Sequence, residues 1–536
     1  MPTPGEQTLA GSIPWRSASD VPIDFEGPDI AFSPFDPIHG PETPILALIA
    51  AQNEAAPDRI AIEDDEGIVT YGTLMDAIYA LAASIAAAVP PAQPVGIRLH
   101  DTRQGPIALL ACLLAATPAV LLDRMDPPDR LAKLVAASRL AAIITEDEFP
   151  GLICIKPTAR AAAPFAARPL AQDAPAFVVW TSGSSGQPKG IVHSQRSVLH
   201  RAGLLVNSAH LGSTDRYLSF NTPSSMGALL NALAAFLSGA ALHRVDIARY
   251  GLARVLRRLR DKRITAVMGV PAIYRAIAQM PGASAAMSSV RVLSSNGEAL
   301  LAADLALLRS CLPPTSHIQM VYGATETQAA MRFIPTSEKS ADAQVAAGRP
   351  IPGTQFAVIR EDGTPAPDGE AGELFIRSRY TAIGEWQEGR CIEGRLRYEV
   401  DTESGWRHYA MGDLVRLRSD GNFLVIGRSD RQLKLRGHRI EPIEIEAILR
   451  GDAAVHDSVV LPIAGPVGPE LVAFVAVEPR WHAETRLRLD ALLTARIPGY
   501  MRPRRLHLLP ALPLLSSNKI DIFSLTRLDA STTEQQ

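Results

Sequence analysis

From Glu42 onward, apolar positions alternate between helical spacing and short continuous runs. PILALIAAQNEAAPDR predicts a helix, IAIED a strand and GTLMDAIYALAASIAAAV a second helix. VGIRL, a helix running into a strand within Ile107–Leu122, the helix RLAKLVAAS and the strand AAIIT continue a series expected of a sheet covered by helices. In LARVLRRLRDKR, Leu252, Val255, Leu256 and Leu259 recur at helical spacing, which predicts that the five arginines occupy the solvated side. Beyond residue 350 the texture changes to hairpins, TQFAVIREDGTPAPDGEAGELFIRS and DLVRLRSDGNFLVIGRSDRQLKLRG. From Ile443 it returns to mixed α/β, with IEIEAILRG and RLDALLTARI as helices and SVVLPI and LVAFVAV as strands.

Composition narrows the function classes. A chain of 536 residues is long enough for several units and a large core, and four cysteines without C-x-x-C spacing favour buried thiols over disulfides or zinc. A net charge of −3 with no long basic run leaves no footprint for nucleic acid or an anionic membrane. Ile107–Leu122 is broken by Pro118 and too short to span a bilayer of about 20 residues' helix length, and the N-terminus lacks a secretory pattern, so a cytoplasmic protein is expected. The first 40 residues, rich in Pro, Asp, Ser and Gly, read as a surface arm without chemistry.

The most informative segment is FVVWTSGSSGQPKGIVHS, Phe177–Ser194, an apolar strand entering a Thr/Ser/Gly loop that closes on lysine. Phosphate binding needs close backbone N–H groups, hydroxyl donors and a cation, and Thr181, Ser182, Gly183, Ser184, Ser185, Gly186 and Lys189 supply them. A Walker A loop is excluded, because Pro188 falls where its second glycine belongs and Gly190 where its Ser or Thr belongs.

TSGSSGQPKG resembles the signature of the adenylate-forming superfamily, and further segments resemble that family in order. These are VTYGTLMDAI (69–78), LLAATPAVLLDRMDPPDRL, SSNGEAL (294–300), VYGATET (321–327), HYAMGDL, GRSDRQLKLRGHRIEPIEIE (427–446) and PGYMRPRRLHLLPALPLLSSNKID. The resemblance, nearest to peptide-synthetase adenylation domains, implies an α/β fold. A large N-terminal domain of sheet-and-helix subdomains (41–429) would follow the arm (1–40) and precede a small mobile α+β domain (430–536). It implies that Tyr322 stacks on adenine, Thr325 contacts the α-phosphate, Glu326 holds Mg²⁺, and Asp413 and Arg428 contact ribose. Gly297, Glu298 and Gly323 would complete the ATP site. Asp430 would be the hinge, Gly437 would line the thiol's path, and Lys519 would reach the carboxylate and α-phosphate during adenylation. Residue types agree: an aromatic face suits a purine, and a carboxylate suits a hard cation. Lysine is scarce, seven among 53 basic residues, yet stands in three of these motifs.

The implied reaction joins a carboxylic acid to ATP as an acyl-adenylate, releases pyrophosphate and passes the acyl group to a thiol. The matched acid pocket comprises Phe220, Asn221, Ser225, Ser294, Asn296, Val321, Ala329 and Ala330. Relatives activating α-amino acids carry an Asp where this chain has Asn221, and an amide cannot neutralise an ammonium, which counts against a standard α-amino acid; the substrate expected is a small carboxylic or amino acid, and the small or polar pocket residues suit a small or polar carboxylic acid better than a long fatty acyl chain. With 17 residues after Lys519 and no L-G-G-x-S site, the phosphopantetheine thiol is expected in trans, on a separate carrier protein, with free coenzyme A as the alternative. Ser517-Asn518 replaces the family's Asn-Gly before the lysine; with Asn221 it leaves a noncatalytic relative as a third reading.

Overall fold

The computed structural model describes residues 13–533 apart from 19, 38, 127, 159–164, 182–188, 337–343, 394–396, 399–404, 430–432, 436–437, 441, 466–467, 479–481, 498, 500–501 and 516–518. Two sheets form the heart of the large domain. In the eight-stranded sheet, Ile153–Ile155, Ala142–Thr145, Val95–Arg98, Ala119–Leu121 and Phe177–Thr181 run parallel in that order; Lys189–His193, Gly384–Gln387 and Arg390–Ile392 follow antiparallel. In the nine-stranded sheet, Ile60–Glu63, Ala241–His243, Arg216–Ser219, Ala266–Gly269, Val292–Asn296 and His317–Gly323 are parallel. Gln328–Ile334 then returns antiparallel.

These parallel strands are apolar along their length because both faces are covered. The helices Gln195–Ala209 and Met226–Ser238 share one core with Phe177 and Val179 of one sheet and Tyr217, Met268 and Val292 of the other. Ile107–Leu122 is indeed a buried helix, Gln104–Leu114, running into the strand Ala119–Leu121. Among the described residues one helix, Tyr71–Ala88, is long and apolar enough to cross a membrane, and Tyr71, Leu74, Ile78, Leu81 and Ile85 of it lie in the same core. Its Thr-Tyr-x-x-Leu start has a local cause: Thr70 forms a capping box with Thr73, Tyr71 Oη donates to the Ala240 carbonyl at 3.2 Å, and Leu74 is fully buried.

A third sheet carries Thr354–Ile359, Ala371–Ser378, Arg407–Leu417 and Phe423–Arg428. The arm's Arg16–Ser17 pairs with Thr354–Ile359, and Asn207 brackets the backbone of Phe35 from both sides, at 2.7 and 2.8 Å. In the C-terminal unit, Val455–Gly465, Gly468–Val477 and Arg505–Leu509 form a sheet. Val460, Leu471, Ala473 and Val475 face the helices Pro442–Arg450 and His482–Arg496, while Val459, Val472 and Phe474 face Ile522–Thr533. This strict alternation is the period-2 pattern of a sheet covered on both sides.

One expectation fails. Val255 and Leu259 are buried as the spacing predicts, but the arginines of that helix are not all solvated. Arg258 is 5% exposed and donates to Asp65 at 2.6 Å; Arg254 donates to the same carboxylate at 2.7 Å. Asp65, on the loop after Ile60–Glu63, presents an acidic edge that helical spacing alone cannot reveal.

Candidate active site

In parallel α/β sheets, ligands gather at the carboxyl ends of the strands, where loops diverge. The segments matched to the phosphate loop, the acid pocket and the nucleotide sit there, whereas VTYGTLMDAI leaves its sheet at the opposite end, where Thr70 pairs with Ile60. Phe177–Thr181 ends at Thr181, which pairs in register with Lys189 across the loop; Ser182, Gly183, Ser184, Ser185 and Gly186 lie outside the described residues. The Lys189 ammonium stands 4.0 Å from Glu385. Arg216–Ser219 runs out into Phe220 and Asn221, Val292–Asn296 into Gly297 and Glu298, and His317–Gly323 into Thr325 and Glu326. Gly297 has φ +77°, a backbone conformation that favours glycine.

The nucleotide-matched residues converge. Tyr322 Oη donates to Asp413 Oδ2 at 2.5 Å, joining the nine-stranded sheet to the third sheet, and Asp413 is in register with Arg428. The turn that follows Tyr322 is tight: a Cβ on Gly323 would stand 2.5 Å from the Thr327 carbonyl oxygen, and the ladder slips there. Ala324 N–H donates to that carbonyl and Ala382 N–H to the Glu326 carbonyl, both at 2.7 Å. Burial raises the pKa of the Glu298 carboxyl, opposed by Arg275, and Arg275 Nη2 lies 3.9 Å from it. That contact turns Glu298 toward a neighbouring helix.

The acid-matched pocket is an amide array. Asn221 Oδ1 accepts from Asn231 Nδ2 at 3.0 Å, and its own Nδ2 faces Asn296 Oδ1 at 3.5 Å. Asn231 is held in turn by Ser219 Oγ at 2.9 Å and Tyr217 Oη at 3.0 Å. Gly227 makes room for this amide, since a Cβ there would sit 2.6 Å from Asn221 Nδ2. Phe220 packs edge-on against Tyr274, with centroids 5.8 Å apart. Ser294 Oγ is committed to Gln319 Oε1 at 2.7 Å, and Ser225 Oγ caps the helix Met226–Ser238 by accepting from Ala228 N–H. Val321 is buried, and Ala329 and Ala330 are fully buried beside Tyr322 and Phe356.

The C-terminal residues stand apart. Lys519 is exposed in a turn closed by Leu515 N–H on its carbonyl at 2.8 Å, and among the described residues no hydrogen bond or ion pair ties its ammonium to the large domain. Asp430 and Gly437 lie outside the described residues, as do Ser517 and Asn518.

Two model families match this chain: AMP-binding enzyme over residues 49–386 and AMP-binding enzyme C-terminal domain over 444–519. The chain is an AMP-binding, adenylate-forming enzyme. Dapdiamide synthesis protein DdaD of Enterobacter agglomerans is 28% identical over 89% of this chain and 81% of its own length. Phosphinothricin tripeptide synthetase PhsC of Streptomyces viridochromogenes is 31% identical over 87% of this chain, which spans only 43% of that protein. The structure of the anthranilate CoA ligase AuaEII with anthranoyl-AMP superposes with a TM-score of 0.79 at 20% identity, covering 91% of this chain and 98% of that one, a likeness of fold. The family thus makes the chain an AMP-forming acid–thiol ligase that uses ATP to activate an acid as acyl-AMP.

Sequence reading misses Asn231, Gly227, Gln319 and Arg201. Arg201, 5% exposed on Gln195–Ala209, donates to the carbonyls of Thr325 at 2.9 Å and Ala324 at 3.1 Å. A local signal existed for Asn231, a polar residue in an otherwise apolar helix, but not for Arg201, which follows His200 in a mixed one.

Proposed function

We propose that this adenylate-forming enzyme activates a small carboxylic acid that lacks an α-ammonium, and transfers it to the phosphopantetheine thiol of a carrier protein in trans. A carboxylate oxygen attacks the α-phosphorus of ATP; the bond to the bridging oxygen breaks and pyrophosphate leaves. The thiol sulfur then attacks the acyl carbonyl, the thiol proton is lost and AMP departs. No protein nucleophile is needed, so catalysis rests on positioning and electrostatics.

In this reading the loop of Thr181, Ser182, Gly183, Ser184, Ser185 and Gly186 with Lys189 holds the outer phosphates, and Thr325 donates to the α-phosphate. Tyr322 offers its ring to adenine while its hydroxyl holds Asp413, fixing that carboxylate for the ribose hydroxyls beside Arg428. Gly297 and Gly323 let backbone approach the nucleotide. Glu326 would hold Mg²⁺, which supplies charge neutralisation on the phosphates. Residues 1–40 form the arm, 41–429 the nucleotide and acid domain, and 430–536 a domain that turns about Asp430, exchanging Lys519 for the face bearing Gly437. ATP and carrier thiols place the work in the cytoplasm.

The amide array carries the substrate reading. With its Oδ1 accepting from Asn231, Asn221 offers the pocket an N–H donor, suited to a hydroxyl or carbonyl oxygen on the acid rather than a cation. The peptide-synthetase relatives support a carrier as acceptor. Acid-dependent pyrophosphate exchange over a panel of carboxylic and amino acids, followed by thioester formation with holo-carrier proteins or coenzyme A, tests both parts. Best exchange with an α-amino acid would refute the acid class, and robust turnover with coenzyme A alone would refute the carrier.

A further inference from the structure

Arg201 has no part in the assignments above, yet its guanidinium lies directly behind the turn on which nucleotide and metal are proposed to depend. We propose that Arg201 is a positioning residue for ATP and Mg²⁺, presetting the Ala324–Thr325–Glu326 turn through its two carbonyl contacts; this rests on the roles proposed above for Thr325 and Glu326. The helix that bears it, Gln195–Ala209, follows immediately on Lys189–His193, the strand that closes the phosphate loop. One guanidinium therefore links the segment holding the outer phosphates to the segment holding the α-phosphate.

Two observations distinguish this contact from ordinary packing. First, the turn needs it. Gly323 abuts the Thr327 carbonyl and the ladder slips at Tyr322/Gly323, so the carbonyls of Ala324 and Thr325 fall outside regular strand pairing and accept from the buried arginine instead. A planar fork of N–H groups matches two successive carbonyls, where lysine offers a single point charge.

Second, the charge is uncompensated at close range. Among the described residues Arg201 makes no ion pair within 4.0 Å, and its Nε has no partner. Burial pulls its pKa down to about 10, against the attraction of Glu326, so it remains a cation at neutral pH. The side chains packed beside it do not share the positive charge: burial, assisted by Arg201 itself, holds His193 well below the usual imidazole range and His200 down to about 3. A buried cation behind the turn fixes the Ala324 and Thr325 carbonyls, and with them the backbone that carries Glu326, before ligand arrives.

The test compares Arg201→Met, Arg201→Gln and Arg201→Lys with wild type in the full chain. Calorimetry reads Mg·ATP affinity, and pyrophosphate exchange with the acid that wild type uses best reads kcat, KM for ATP and acid, and the half-saturating Mg²⁺ concentration. Loss of two charge-assisted contacts predicts a rise of about 10- to 100-fold in KM for ATP and in the Mg²⁺ requirement for the Met variant. The acid KM should stay within about threefold, and Lys should recover part of the loss. Gln, which donates without charge, separates the hydrogen bonds from the electrostatic effect, and it and Lys decide the matter if Met does not fold. Unchanged ATP and Mg²⁺ dependence overturns the proposal. So does a uniform worsening of ATP, Mg²⁺ and acid parameters with a lowered melting temperature and no rescue by Lys, the pattern of a structural residue. If wild type exchanges no acid, the catalytic reading fails while Mg·ATP affinity still tests Arg201.

Discussion

Replacing Asn221 by Asp changes one atom type in the proposed acid pocket and little else. The new carboxylate keeps the acceptor that Asn231 Nδ2 uses at 3.0 Å, but at the 3.5 Å contact it sets an acceptor against Asn296 Oδ1 where a donor stood. Asn296 must turn its amide to compensate, and the pocket gains a negative charge. Any acid held through an acceptor oxygen near Asn221 then loses a hydrogen bond and meets a like charge, together about 1.5–3 kcal/mol, or roughly 10- to 100-fold in kcat/KM. An α-ammonium about 4 Å away would gain up to about 4 kcal/mol at an effective dielectric of 20, offset by the cost of burying the carboxylate. The assay is pyrophosphate exchange over paired panels of α-amino acids and their α-hydroxy or aryl counterparts. Wild type should favour the members that lack an α-ammonium, and Asn221→Asp should narrow or invert that preference. If wild type already exchanges an α-amino acid best, or the substitution leaves the ranking intact, the argument from the amide array is wrong.

Lys519→Ala is expected to lower adenylation more than about 100-fold while leaving thiolation of a pre-formed adenylate within a few-fold; equal loss of both steps in rapid-quench assays would contradict its role. Tyr322→Phe keeps the ring but deletes the 2.5 Å bond to Asp413, so KM for ATP should rise about 10-fold with the acid KM unmoved. His200 is buried and stacked on Tyr380 with its pKa held near 3, so the unfolded chain binds this proton first as pH falls below the ordinary imidazole value. Its contribution to stability is complete above about pH 6.5 and is lost progressively toward pH 3, about 1.4 kcal/mol per pH unit inside that window. His200→Gln should flatten the fall in melting temperature between pH 7 and 5, and an unchanged slope would show that this imidazole does not contribute.

What the sequence could and could not reveal follows from where each contact is made. Tyr322, Thr325 and Glu326 fall within five consecutive positions, and Asn296, Gly297 and Glu298 are contiguous, because each set occupies one strand end; a linear motif records it whole. The sheets were legible for a related reason: parallel strands buried on both faces show as apolar runs whatever their order. Arg201 reaches the turn across 124 positions, and Asn231 fixes Asn221 from the next helix, so no linear motif records either contact. Arg254 and Arg258 failed in the same way. Periodicity predicted which face of their helix is buried but not that Asp65 stands at its margin. Periodicity reports how much surface an element hides, and it is silent about what lies opposite.

The contact between the two domains bears on the proposed cycle. Arg275 of the large domain is 2.9 Å from Asp304 and 3.9 Å from both Glu298 and Asp457, the last on the C-terminal sheet, while Arg450 of that domain pairs with Asp457 at 2.9 Å. A single Arg275–Asp457 contact at 3.9 Å, with Asp457 partly open to solvent, stabilises by under about 1 kcal/mol. Asp457 retains Arg450 and Arg275 retains Asp304 if the domains separate, so neither charge is stranded. This contact by itself therefore costs little to break. In the proposed cycle the C-terminal domain turns about Asp430, and shared, replaceable ion pairs at this edge let Asp457 leave Arg275 without stranding either charge.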